Sequence, residues 1–101
     1  MQGAKELIKL RERAGEVSSF LKLLANQDRL LILCYLAQQE LNVSEIQHST
    51  HITQPTLSQQ LTILRNANVV VTRRDGKQIY YSIDDQRLIE LMQTLYKLYC
   101  Q

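Results

Sequence analysis

What this sequence has little of narrows its class. Its 101 residues include one proline, three glycines and no tryptophan, which is typical of a chain that is mostly regular secondary structure. It has two cysteines, Cys34 and Cys100, too few for the disulfide framework of a secreted scaffold. Their spacing matches neither a CxxC motif nor a zinc finger. A small disulfide-stabilised secreted domain is therefore disfavoured.

Long apolar runs are also lacking. No stretch approaches the roughly 20 apolar residues that a membrane-spanning helix needs, and residues 1–17 are charged throughout, unlike a signal peptide. The length is that of one domain, small enough for dimerisation to add to its stability. We expect a single cytoplasmic domain over residues 1–101 that does not associate with a membrane.

Charge is distributed unevenly along the chain. From Arg65 to Lys77 there are four cations and one anion, whereas residues 42–62 carry one charge, Glu45, among many Ser, Thr, Gln and Asn. A polar segment is therefore followed directly by a basic one.

Two helices are predicted in the first 39 residues. The first has an apolar stripe at steps of three and four, as in a helix that packs lengthwise on another helix. The second lies within residues 26–39 and begins near Asn26 or Asp28. The stripe consists of Leu7, Leu10, Ala14, Val17, Leu21 and Leu24, and the inner face of the second helix of Leu30, Leu33, Cys34 and Ala37.

A helix-turn-helix is predicted next. Asn42 and Glu45 have the spacing of a capping box that opens a short helix. After a tight corner at residues 51–53, Thr53 is expected to cap a fourth helix. Pro55 is expected in its first turn, where the missing N–H is not needed. The core-facing positions of this helix are Leu57, Leu61 and Leu64.

The remainder predicts a wing and a last helix. The segment VVVTRRDGKQIYYSI alternates around Asp75-Gly76, the strongest short-range hairpin signal. A final helix has acidic residues at its start, with Leu88, Met92, Leu95 and Tyr99 on its inner face. The order of elements predicts a winged helix-turn-helix, a mainly α fold with a small β-hairpin.

Amides and hydroxyls dominate the predicted outer face of the fourth helix. Because an amide can contact adenine bidentately in the major groove, we expect base reading from Gln54, Thr56, Ser58 and Gln59, with Gln60 leaning inward. Contacts to the phosphate backbone are expected from Arg29 and Arg65. Phosphate contacts or entry into the minor groove are expected from the residues on or near the hairpin tip, Arg73, Arg74, Lys77 and Gln78. The predicted partner is double-stranded DNA. A solvated helix face with solubilising charges is the alternative interpretation.

The segment LSQQLTILRNANVVVTRRDGKQIYYSI resembles the ArsR-type family of bacterial winged-helix repressors, and the resemblance covers about residues 21–101. It implies a homodimer formed through the first and last helices. Such a dimer would act as a repressor on an inverted-repeat operator.

Many members of that family sense metals through a motif of the form ELCVCDL. Residues 40–46 here read ELNVSEI, without either thiol, and the last helix lacks the paired His and acid positions of the other common metal site. His48 and His51 form an HxxH pair that is more often a surface feature than a metal site. We expect no metal and no cofactor, and a metal-responsive repressor remains the alternative.

By itself Cys34 reads as a small hydrophobe in an apolar helix, and Cys100 is ambiguous. The chain is similar to the HlyU- and BigR-like branch of the family, which has one cysteine in the second helix and one near the end of the last. That similarity implies a reversible disulfide or polysulfide link between Cys34 and Cys100 that weakens DNA binding. The sequence leaves open whether the two thiols meet, and whether the protein represses directly or displaces another silencer.

Two other classes compete with a DNA-binding regulator. A thiol peroxidase would need an acid-base constellation that this chain does not contain, so we do not expect an enzyme. A winged helix used only for protein association would show neither sequence preference nor strong salt dependence on DNA.

Overall fold

The computed structural model describes residues 3–100. It confirms the predicted order of elements and adds one short strand before the third helix. In chain order the elements are α1 (Ala4–Leu24), α2 (Gln27–Leu36), β1 (Leu41–Asn42), α3 (Val43–Thr50), α4 (Thr56–Asn66), β2 (Val70–Asp75), β3 (Gln78–Ile83) and α5 (Gln86–Cys100). The fold is a winged helix-turn-helix.

Helix α2 lies at the centre of the fold. It packs against α1, α3, α4, α5 and β3. The sequence predicted a single inner face on α2, but Ile32 and Leu36 are buried as well as Leu33. The prediction was too narrow because α2 is surrounded on more than one side. The other side chains that are almost completely enclosed are Ile46, Leu57, Leu64, Leu88 and Met92.

The long helices at the two ends of the chain are only partly covered. On α1 only Leu24 is buried, and the predicted apolar stripe is 39–56% exposed at Leu7, Leu10, Val17 and Leu21. On α5, the predicted inner position Tyr99 is 82% exposed, because the last two turns run beyond the core. Within residues 3–100 no helix is both long and apolar enough to cross a bilayer.

Local hydrogen bonds fix the corner between α3 and α4. The capping box is confirmed, since Asn42 Oδ1 accepts from the Glu45 N–H and Glu45 Oε1 accepts from the Asn42 N–H, both at 2.9 Å. His51 ends α3 in the left-handed region, with φ 61°. The predicted Thr53 cap is wrong, because α4 begins at Thr56 without a side-chain cap, and Pro55 lies just before the first turn.

The wing is part of a three-stranded antiparallel sheet in the order β1-β3-β2. Asp75 pairs with Gln78, so the two loop residues are Gly76 and Lys77, one position later than the predicted centre. Gly76 has φ 63°, a conformation that glycine adopts without steric cost. The outer strand β1 pairs with β3 and ties the start of α3 to the wing.

Loss of the capping box should destabilise the domain measurably. Asn42→Ala removes the acceptor for the Glu45 N–H, so we expect the free energy of unfolding to fall by about 0.5–2 kcal/mol in urea denaturation. The control is Asn66→Ala at the exposed end of α4, which should stay within about 0.5 kcal/mol of wild type. Equal stability of the two variants would contradict a stabilising cap.

Candidate nucleic-acid interface and thiol pair

The buried side of α4 determines which residues face outward. Leu57, Leu61 and Leu64 are buried, while Ser58 and Gln59 are exposed and Thr56 is half-buried. Residues three and four apart share a helix face. Because the leucine face is buried, the opposite face of α4 is exposed to solvent. Of the predicted base-reading residues, three therefore lie in the N-terminal half of α4, and Gln54 lies two residues before the helix.

Gln54 is joined to Ser58 across the start of α4. Its Oε1 atom accepts from the Ser58 N–H at 3.1 Å and from the Ser58 hydroxyl at 2.7 Å. This contact supplies the acceptor for the first turn that was expected from Thr53. It also occupies the Gln54 oxygen and leaves its amide N–H groups as donors on an exposed surface.

Gln60 and Arg29 contact each other inside the domain. Gln60 leans inward as predicted, and its Oε1 accepts from Arg29 Nη1 at 3.1 Å. Arg29 Nε donates to the carbonyl oxygen of Leu23 at 2.7 Å. The phosphate contact predicted for Arg29 does not fit this arrangement, since two of its guanidinium nitrogens already have partners within the fold.

Arg73 lies in the middle of β2, opposite Tyr80 on β3. Its Nε and Nη2 atoms donate to the Glu40 carboxylate at 2.8 and 2.7 Å, and its guanidinium lies 4.5 Å from the centroid of the Tyr80 ring. The hydrogen bond to Glu40 is the main cause of the raised pKa of Arg73. The pKa of Glu40 is lowered chiefly by the same bond. Sequence reasoning did not identify Glu40, which is 33 residues away and carries no motif.

The remaining predicted cations are available at the surface. Within residues 3–100, Arg65, Arg74 and Lys77 form no salt bridge, and all three are exposed, as is Gln78. Arg65 lies near the end of α4, and Arg74 and Lys77 lie at the turn of the hairpin that follows. Exposed cations therefore outnumber the one exposed acid of this segment, Asp75, between the end of α4 and the hairpin turn.

Cys34 belongs to α2, and its side chain faces α5. It is half-buried, and its Sγ atom is 3.9 Å from Met92 Sδ. An open cleft of about 500 Å³ separates the two helices here, and its lining includes Cys34, Gln38, Met92, Tyr96 and Lys97. Cys100 is exposed near the end of α5, and both thiols are free.

The two thiols are not bonded to each other. Burial raises the pKa of Cys34, and the negative charge of the Cys100 thiolate raises it further. Met92, Tyr96 and Cys100 follow one another at steps of four, so they share a face of α5. Cys34 contacts Met92, so Cys100 lies two turns further along the same face of α5.

No group of three His, Cys, Asp or Glu side chains is placed to hold a metal ion in the part of the chain that the structure covers. His48 and His51, the predicted HxxH pair, are both exposed. His51 owes its position to the left-handed turn after α3.

The sequence matches a known protein family and several characterised relatives. Residues 26–72 match the family described as "Bacterial regulatory protein, arsR family". A biofilm growth-associated repressor from Agrobacterium fabrum is 45% identical over 91 residues, which cover 90% of this chain and 78% of the relative. The transcriptional activator HlyU of Vibrio cholerae is 33% identical, over 94% of this chain and 88% of the relative.

Solved structures of related regulators have the same fold. The crystal structure of the transcriptional repressor BigR from Xylella fastidiosa superposes with a TM-score of 0.87 at 40% identity, over 92% of this chain and 95% of that one. Reduced HlyU from Vibrio cholerae superposes with a TM-score of 0.85 at 32% identity, over 92% of this chain and 98% of that one. The chain therefore belongs to the ArsR family of bacterial transcriptional regulators, in the branch that contains BigR and HlyU.

Proposed function

We propose that this regulator is a single-domain cytoplasmic repressor that binds an inverted-repeat operator as a homodimer and is released by a bond between Cys34 and Cys100. One observation carries the DNA-binding part. Helix α4 buries three leucines against the core and presents amides and hydroxyls to solvent beside an exposed basic hairpin. A helix of that polarity at the second position of a helix-turn-helix fits the major groove.

The residues proposed to read bases lie in or just before the N-terminal half of α4. Gln59 is exposed and offers both a donor and an acceptor, the pair of groups that an adenine edge can satisfy. Gln54 is oriented by Ser58 so that its remaining hydrogen-bonding groups are donors. Thr56 and Ser58 complete the set.

Phosphate contacts are proposed for the exposed cations. Arg65, Arg74 and Lys77 have no acidic partner within residues 3–100, so DNA phosphates would not have to displace one. Gln78 adds a polar contact at the hairpin. Arg73 is the weakest member of the predicted set, because a phosphate would compete with Glu40 for its guanidinium.

Dimerisation is supported by what a single chain leaves uncovered. The apolar stripe of α1 is exposed along most of its length, and Tyr96, Leu98 and Tyr99 are exposed at the end of α5. Large contiguous apolar surfaces are rare on monomeric proteins. A second copy packed on α1 and α5 would cover these side chains and set two α4 helices side by side.

The proposed switch acts through α2 and α5. A peroxide would take two electrons from the thiol pair, both thiol protons would end in water, and an S–S bond would form. In the chain-entropy model, closing a loop of about 65 residues is worth roughly 4 kcal/mol. The link would tie the end of α5 to α2. Since the end of α5 is part of the proposed dimer interface, the spacing of the two α4 helices would change.

A second candidate function is relief of silencing. The HlyU relative is described as a transcriptional activator, and a regulator of this fold can activate a gene by displacing another protein from the same DNA. Both candidates require operator binding. They differ in whether deletion of the gene raises or lowers expression from the bound promoter.

Zinc content after purification would test the metal-responsive alternative.

Base-reading and phosphate-binding residues should be separable by salt dependence. Gln59→Ala should weaken operator binding by about 1–3 kcal/mol with little change in the salt slope. Arg74→Gln should weaken binding to all sequences and lower the log–log salt slope by about one unit. Fluorescence anisotropy on a fragment of the protein's own promoter region measures both, with Gln86→Ala on α5 as control. Salt-independent binding without sequence preference would instead support a protein-association domain.

The thiol switch should depend on both cysteines. Wild-type protein treated with peroxide or a persulfide donor should lose operator affinity, and intact-mass analysis should show one intramolecular link. Cys100→Ser should bind DNA normally when reduced and keep its affinity after treatment. Loss of binding by treated Cys100→Ser, or unchanged wild-type binding with both thiols free, would contradict the switch.

The two thiols should react at different rates in the folded protein. Cys34 is half-buried, and its raised pKa reduces the thiolate fraction near neutral pH. We expect iodoacetamide at pH 7 to modify Cys100 first, as measured by peptide mass spectrometry. The Cys34 rate should rise with pH as its thiolate forms. In urea the two rates should converge, and equal rates in the native state would show that Cys34 is not protected.

A further inference from the structure

The side chain of Arg29 connects three helices. It extends from the first turn of α2, donates through Nε to the carbonyl oxygen of Leu23 in the last turn of α1, and donates through Nη1 to Gln60 on α4. Its backbone N–H is itself fixed by Asn26 Oδ1 at 3.0 Å. Arg29 therefore has partners on all three elements.

The contact with α1 provides a hydrogen-bond donor for a backbone carbonyl, that of Leu23, that has no partner within the helix. Leu23 is the last residue but one of α1, and the final four carbonyls of a helix have no intrahelical partner. The guanidinium also places a positive charge at the negative end of the helix dipole. The bond at 2.7 Å is short and charge-assisted. It holds the end of α1 against the start of α2.

The α4 contact acts on the recognition helix. Gln60 follows Gln59, which faces solvent, so the bond to Arg29 fixes the rotation of the helix turn that carries the proposed reading face. A guanidinium can serve both acceptors at once because its donors have a fixed planar geometry, whereas a lysine ammonium is a single point on a flexible stem. Arg29 therefore adds a direct link between the end of α1 and α4 to the packing of the α4 leucines.

We infer that Arg29 is a positioning residue for DNA binding. It fixes α4 relative to α1, and in a dimer formed through α1 it thereby sets the distance between the two recognition helices. This inference rests on the proposed dimeric operator binding. It assigns Arg29 a role different from the phosphate contact that the sequence alone suggests.

Half-site spacing distinguishes the two roles. The probe is a set of duplexes carrying the operator selected by the wild-type protein, with the centre of the repeat lengthened or shortened by one or two base pairs. Each is titrated at several salt concentrations. The wild type should prefer one spacing by about tenfold or more, because half-sites must match the geometry of the dimer.

Arg29→Met keeps an unbranched apolar stem and removes the guanidinium donors. This variant should discriminate between spacings by less than about threefold, with a salt slope close to that of wild type. Gln60→Leu should have the same effect, Gln60→Glu should retain the preference because it keeps the acceptor, and the double variant should be no worse than either single variant. Arg65→Met is the matched control, with a lower salt slope and an intact spacing preference.

Three results would overturn the inference. Uniformly weaker binding by Arg29→Met with a salt slope lower by about one unit would identify a phosphate contact. A wild-type spacing preference in Arg29→Met, or in folded Gln60→Leu, would show that the bond does not position α4. A wild-type protein without any spacing preference would refute the dimeric operator binding itself, a different failure from that of Arg29. If circular dichroism shows that Arg29→Met does not fold, Gln60→Leu decides, since it leaves the bond to Leu23 in place.

Discussion

The enclosure of α2 is the constraint on which the other elements depend. Ile32 and Leu33 are completely buried, and α1, α3, α4, α5 and β3 all pack against this one helix. Because protein interiors are close-packed and transmit strain, α2 cannot shift without moving its neighbours. It also carries Cys34, which faces α5, and Arg29, which contacts α4. The proposed sensing thiol and the support of the recognition helix therefore belong to the same rigid element.

The proposed DNA-binding surface is held in place by two kinds of interaction that differ in their sensitivity to salt. Buried leucines fix which face of α4 is outward, and they do so at any salt concentration. The wing is held by backbone pairing and by the ion pair of Arg73 with Glu40, which is exposed and therefore screened by salt. The orientation of α4 therefore does not depend on salt, whereas the ion pair at the hairpin does. In the proposed complex with DNA, α4 would specify sequence and the hairpin would follow the phosphate backbone.

Features with a local cause could be predicted from the sequence, and features with a distant cause could not. The capping box at Asn42, the leucine face of α4 and the hairpin each depend on residues within a few positions of one another, and the structure confirms them. The contacts Arg29–Gln60 and Arg73–Glu40 span 31 and 33 residues, so no local sequence motif predicts them. Strand β1 forms only because β3 lies beside it.

Tyr99 was expected on an inner face because its spacing continues that of Met92, and periodicity does not show where the core ends.

The contact between Cys34 and Met92 bears on how much oxidant the protein tolerates. The Met92 side chain is 1% exposed and lies 3.9 Å from the Cys34 sulfur. Thiol bridging is reversed by cellular reductants, whereas oxidation of the thioether would place a polar sulfoxide in the core. The fold therefore shields Met92 from oxidants, while Cys100 is exposed. In the proposed switch, brief oxidation of the thiols would be a reversible signal, and oxidation that reached Met92 would damage the core.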